Sequence, residues 1–147
     1  MAMSKRVELS AAGEQFSGYC AGAAGESQMG LVVIQEIFGV NSHIRDVCDR
    51  FADQGFVALA PDVFHRQQAD VELGYEEADV GIGFGYMQAL EPAAVLADLA
   101  AAIQWLRDQG ASKVGVVGFC MGGLYTYLSA AQLGPDAAVA FYGGGIG

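Results

Sequence analysis

At 147 residues the chain is the size of one domain and long enough to bury a core of its own. Apolar residues make up 53% and charged residues 16%, which excludes a disordered chain, and 21 glycines without a regular period exclude a collagen-like one. Seventeen acids against seven bases give a formal charge of -10, which repels nucleic-acid phosphates and anionic lipid surfaces alike.

The first ten residues carry Lys5 and Arg6 but no apolar stretch of signal-peptide length. Phe16 to Cys20 alternates apolar and polar residues, and Gly22-Ala23-Ala24-Gly25-Glu26 supplies turn residues. Leu31-Val32-Val33-Ile34 then forms the unbroken apolar run of a buried parallel strand. Asn41 and Ser42 can cap a helix in which Ile44, Val47, Cys48 and Phe51 recur at helical spacing, with Gly55 at its C-terminal stop. Phe56 to Ala60 is a second strand, ended by Pro61-Asp62.

Residues 66 to 90 are expected to be loop with short helix, since Gly81, Gly83 and Gly85 break any long element. Ala93 to Gln109 carries a helical stripe of Leu96, Leu99, Ala100, Ile103 and Leu106, read together with Trp105 as core. Asp98 and Gln104 interrupt it, so it is no membrane span. Lys113 to Gly118 is a strand, Met121 to Leu133 a helix stopped by Gly134-Pro135, and Ala137 to Tyr142 a further strand. Strand and helix alternating in this way predict an α/β fold with a mostly parallel sheet covered on both faces. Cys20, Cys48 and Cys120 form neither a C-x-x-C pair nor a metal-ligand spacing, which suits a reducing cytoplasm.

Gly118-Phe119-Cys120-Met121-Gly122 has the form of a G-x-S-x-G nucleophile elbow with Cys in place of Ser, set between a Val-rich strand and a helix. A strand turning directly into a helix strains its apex residue, and a glycine two positions to either side lets the backbones pass. A thiol there sits at a helix N-terminus, whose dipole favours the thiolate. Cys120 is therefore the candidate nucleophile. For an isolated cysteine, burial as a small apolar side chain is the plainer reading, and the flanking strand, helix and glycines outweigh it. Gly118 and Gly123 have Walker A spacing, but Leu124-Tyr125 stands where Lys-Ser/Thr is needed, so nucleotide binding is not expected.

Gln35-Glu36-Ile37-Phe38-Gly39 follows the first central strand at the sheet edge where active sites gather. At acyl-transfer sites of this design a loop there gives one oxyanion-hole N–H and the residue after the nucleophile gives the other, which points to Ile37 and Met121. Glu36 beside Val33-Ile34 is expected to be partly buried, with a catalytic role weighed against a carboxylate paired with an arginine or turned to solvent. Phe38 and Phe84 are candidate substrate contacts.

Gln35 to Asn41, Asp53-Gln54-Gly55-Phe56, Ala60-Pro61-Asp62 and Val116 to Gly123 together resemble successive signatures of the dienelactone hydrolases, over nearly the whole chain. The resemblance implies a three-layer, doubly wound sheet of the α/β-hydrolase type in a single domain spanning residues 1–147, lacking its last strands and truncated at the C-terminus. It implies a Cys-His-Asp triad that cleaves small esters or lactones through an acyl-cysteine intermediate, with Glu36 helping to deprotonate Cys120 and no cofactor or metal. The family's Asp and His lie beyond the strand ending at Tyr142. His43 and His65 do not occupy the base position and are expected to be surface or satisfied residues. The family also holds a substrate carboxylate with basic and phenolic groups from the segment matching residues 70 to 90, where this chain has no Lys or Arg.

The alternatives are a non-catalytic binding module with a vestigial Cys120, and a redox-sensing thiol, which needs a resolving cysteine nearby. The acidic residues Glu72, Glu76, Glu77 and Asp79 are expected to form a solvated surface rather than a metal site. The partner expected is a small-molecule ester or lactone, with no nucleic acid and no membrane. The strand edge near residue 140 is expected to favour self-association or pairing with a C-terminal segment.

Overall fold

The computed structural model describes residues 3–22 and 29–141. The expected turn residues Ala23, Ala24, Gly25 and Glu26, and Tyr142 of the last expected strand, fall outside them. In chain order the elements are β1 (Ser4–Ala11), β2 (Glu14–Ala21), β3 (Met29–Ile34), α1 (Ser42–Asp53), β4 (Phe56–Pro61), α2 (Glu77–Gln88), α3 (Pro92–Asp108), β5 (Lys113–Phe119), α4 (Met121–Gln132) and β6 (Ala137–Phe141). The six described strands form one sheet in the order β1-β2-β4-β3-β5-β6, parallel from β4 to β6, with the β1–β2 hairpin added antiparallel.

The sheet separates two cores because its strands alternate sides with period 2. Val32, Ile34, Val114 and Val116 face Leu96, Leu99, Ile103 and Tyr125 of α3 and α4. Leu31, Val33, Ala58 and Val117 face Ile44 and Cys48 of α1 on the other side. Leu96, Leu99, Ile103 and Leu106 of the stripe are thus core, as their spacing predicts, whereas Ala100 is exposed and Trp105 only partly buried. Among the described residues no single helix is long and apolar enough to cross a membrane.

Two elements differ from expectation. β1 was not anticipated, although Val7, Leu9 and Ala11 are buried and alternate with exposed Arg6, Glu8 and Ser10. Its hairpin turns on Ala12 and Gly13, both at positive φ (51° and 81°), as a two-residue loop between right-twisted strands requires. The glycine-rich segment is a twelve-residue helix, α2, rather than loop with short helix. Reciprocal capping by Glu76 and Asp79 starts it. Gly83 is buried where a Cβ would meet the Ile37 carbonyl at 2.5 Å, so a residue that weakens helix propensity is what allows this helix to close on its neighbour.

The connections place the site. From β3 the chain crosses by α1, on one face, to β4 on one side; from β5 it crosses by α4, on the opposite face, to β6 on the other side. The loops leaving β3 and β5 therefore diverge at the carboxyl ends of two adjacent parallel strands, the place in an open α/β sheet where ligands usually bind.

Candidate active site

Cys120 occupies the apex between β5 and α4 with φ 56° and ψ -117°, a conformation that costs a non-glycine residue about 1–3 kcal/mol. Three contacts hold it there. Its N–H donates to the Phe141 carbonyl at 2.7 Å, and its own carbonyl accepts from Gly123 at 2.9 Å and Leu124 at 3.3 Å. A Cβ on Gly118 would collide with the Gly122 carbonyl, and one on Gly122 with the Ile34 carbonyl, so both glycines of the motif are required by backbone approach. Thr126 donates its hydroxyl to the Gly122 carbonyl at 2.8 Å and fastens the first turn of α4.

The thiol of Cys120 is exposed, whereas Cys20 and Cys48 are buried. Burial pushes both of those thiols up, so they stay protonated and apolar in behaviour. Met121 is the first residue of α4, where a backbone N–H has no partner within its own helix.

Ile34 pairs in register with Gly118, so Glu36 and Cys120 each lie two residues further along adjacent strands. Glu36 is half-buried, and among the described residues its carboxylate has no hydrogen-bond or ion-pair partner; the arginine pairing weighed from sequence does not occur. The loop it starts is held from several sides. Gln35 is fully buried, its side-chain oxygen accepting from Val63 N–H at 3.3 Å and its amide donating to the Glu36 carbonyl at 3.2 Å. Gly39, at φ 85°, lies so close to the Val71 carbonyl that a Cβ would overlap it. The Leu73 N–H donates to the Phe38 carbonyl at 2.9 Å. Asn41 caps α1 by accepting from Ile44 N–H at 3.1 Å and donates to the Tyr75 hydroxyl at 3.1 Å.

Ile37 is buried in this loop. Phe38 is half-buried with its ring 4.7 Å edge-on to Tyr75, and Phe84 on α2 is 47% exposed. The structure thus gathers Glu36, Ile37 and Phe38 in one loop beside the turn that carries Cys120 and Met121, and places Phe84 next to Gly83, the residue packed on Ile37.

Of the two histidines, His65 stands away from the elbow and His43 lies beside Phe119, the neighbour of Cys120. His65 has a side chain 4% exposed, stacks on Phe16 with centroids 4.4 Å apart, and lies 3.0 Å from Asp98. Asp98, fully buried in α3, also receives both guanidinium nitrogens of Arg66 at 2.8 and 2.9 Å. Sequence spacing marked Asp98 only as an interruption; its partners come from β4's exit, 32 and 33 residues away, and no local signal links them. His43 is exposed on α1, its ring edge-on to Phe119 at 6.2 Å. Among the described residues no group of three or more His, Cys, Asp or Glu is placed to hold a metal ion.

Comparison with known proteins bears on the family and the fold. The model of the Dienelactone hydrolase family matches residues 16–146. A Synechocystis protein provisionally named a carboxymethylenebutenolidase is 43% identical over 136 residues, covering 90% of this chain and 55% of its own. The carboxymethylenebutenolidase of Pseudomonas putida is 40% identical over 119 residues, covering 79% of this chain and 50% of its own. A crystal structure from Klebsiella pneumoniae, provisionally named a dienelactone hydrolase, superposes with TM-score 0.82 at 34% identity over 97% of this chain and 60% of its own. The chain thus spans about half the length of the curated relatives it matches.

Proposed function

The chain belongs to the dienelactone hydrolase family, and from that premise we propose that it carries the nucleophilic part of a hydrolase for small esters or lactones. One observation supports this above the rest: of three thiols, the exposed one sits on a strained strand-to-helix turn, at the sheet edge where the connections of two adjacent strands diverge.

In this reading Glu36 takes the proton of Cys120 and the thiolate attacks the ester carbonyl carbon. The tetrahedral oxyanion is met by the N–H groups of Met121 and Ile37. Collapse breaks the bond to the leaving oxygen, which departs as alcohol or enol with the proton that Glu36 took, and leaves a thioester on Cys120. Water must then cleave the thioester, and a positioned general base typically contributes about 10²- to 10⁴-fold to such a step. His65 is held by Asp98 and Phe16, away from that task. The 147 residues alone are expected to acylate once and turn over slowly, since exposed His43, although it lies against Phe119, has no carboxylate partner among the described residues to orient it.

The test is a stopped-flow reaction with p-nitrophenyl acetate followed by intact-mass measurement. A nitrophenol burst of about one equivalent with a single acetyl adduct mapped to Cys120, absent in Cys120→Ala, supports the reading. No adduct on Cys120 overturns it in favour of a non-catalytic module.

A further inference from the structure

We propose that Gln35 is a positioning residue for acylation: its buried side-chain amide fixes the Glu36 carbonyl and so aims the Ile37 N–H, which shares that peptide plane, at the oxyanion formed when Cys120 attacks an ester. This rests on the nucleophile assignment above and adds the group that orients one of its donors.

Gln35 directly follows the apolar strand β3, yet it has no exposure. A polar side chain in such a place costs free energy unless both ends of its amide are bonded. The oxygen accepts from the Val63 N–H, just beyond β4, and the nitrogen donates to the Glu36 carbonyl. Turning the amide over would set donor against donor at Val63 and acceptor against acceptor at Glu36, so a single orientation is fixed. The Gly39 N–H reaches the same carbonyl at 3.4 Å and closes a turn from Glu36 to Gly39.

The Glu36 carbonyl and the Ile37 N–H belong to one trans peptide and point in opposite directions. In the sheet, β3 lies between β4 and β5. Tied through Gln35 to the exit of β4, the carbonyl is drawn to the β4 side, which turns the N–H to the β5 side, where Cys120 stands. No described residue accepts that N–H, although Ile37 is only 6% exposed. Backbone donors in buried surroundings are nearly always paired, and an unpaired one beside a reactive thiol suits an oxygen that arrives with the substrate. The backbone of Gln35 also ties the second donor to the first. Gly122, next to Met121, lies so close to the Ile34 and Gln35 carbonyls that a Cβ has no room there. A role confined to packing would instead make Gln35 matter equally for every reaction of Cys120.

The experiment measures two rates for Cys120 on one preparation of the chain, acetylation by p-nitrophenyl acetate and alkylation by iodoacetamide, each mapped by peptide mass. Only acetylation builds an oxyanion, so the ratio of the two rates separates the oxyanion donors from the ionisation of the thiol. Gln35→Met fills the space without the hydrogen bonds and should lower this ratio by about tenfold or more at every pH. Gln35→Glu supplies a rescue. A buried carboxyl stays neutral at about pH 6, where it accepts from Val63 and donates to Glu36, whereas ionised at about pH 9 it opposes the Glu36 carbonyl. Its ratio should lie within about threefold of the unaltered chain's at the lower pH and fall about tenfold or more below it at the higher. Glu36, Asp62 and Cys120 titrate nearby in every chain, and division by the alkylation rate at each pH removes their contribution. Should Gln35→Met fail to fold, the pH profile of Gln35→Glu decides alone. A ratio unchanged from that of the unaltered chain, or an equal loss of both rates, reduces Gln35 to packing and overturns the proposal while Cys120 stands as nucleophile. An unaltered chain that gains no acetyl adduct on Cys120 overturns the reading beneath it as well.

Discussion

At the scale of single residues, the three cysteines show how environment separates identical side chains. Cys120 is exposed on the elbow, while Cys20 and Cys48 are buried and their thiols are pushed up by desolvation. Iodoacetamide should therefore modify Cys120 at least about 100-fold faster than the other two in the native protein, since only thiolate reacts and access differs as well. Peptide mapping against time checks this, and comparable rates at all three would remove the elbow from the argument. Asp98 is the second informative residue. With no exposure and two partners, it joins the exit of β4 to α3. Asp98→Ala leaves Arg66 and His65 without their anion, and breaking a buried pair of this kind costs about 3–5 kcal/mol. At roughly 2–4 °C per kcal/mol for a chain of this size, the melting temperature should fall by about 6–20 °C. A drop under about 2 °C would show the network to be incidental.

At the scale of elements, the candidate site depends on two close backbone approaches outside the elbow itself. Gly39 has positive φ and no room for a Cβ against Val71, and Gly83 admits α2 to the Ile37 carbonyl. Gly39→Ala combines left-handed strain, about 1–2 kcal/mol, with a backbone collision that must displace the loop. It should slow acylation of Cys120 by about tenfold or more and iodoacetamide labelling distinctly less, because the Ile37 N–H serves only the ester reaction whereas Glu36, as the proton acceptor, serves both. Measuring both rates on one preparation separates misalignment from unfolding. Equal loss of both would mean that the elbow had unravelled too. The local pattern could not reveal this dependence, since three glycines in five residues argue against a helix until the neighbour they admit is known.

At the scale of the whole molecule, β6 is the outer strand among the described residues, and all five of its residues are exposed. A groove of about 260 Å³ beside it is lined by Leu31, Phe51, Phe56, Val117, Ala137 and Val139, almost entirely apolar. An apolar strand edge is a template for another chain. The 147-residue chain is expected to self-associate at micromolar concentration, and Val139→Lys should shift it towards monomer. Sedimentation velocity at several concentrations checks this; a monomer throughout would show that the edge is protected.

The residues alone determined the alternating α/β order, the helical stripe that becomes core and the cysteine elbow, because each is written in local periodicity or in a strand–glycine–helix pattern. The alternation of β1 was equally legible, though short and close to a terminus. What only the tertiary structure decided are the relations between distant segments: Asp98 with His65 and Arg66, Gly83 with Ile37, Gly39 with Val71, and the divergence of the β3 and β5 connections beside the elbow. These arise from packing across the sheet, where partners are chosen by proximity in three dimensions, and local sequence carries no record of which backbone will arrive beside which glycine.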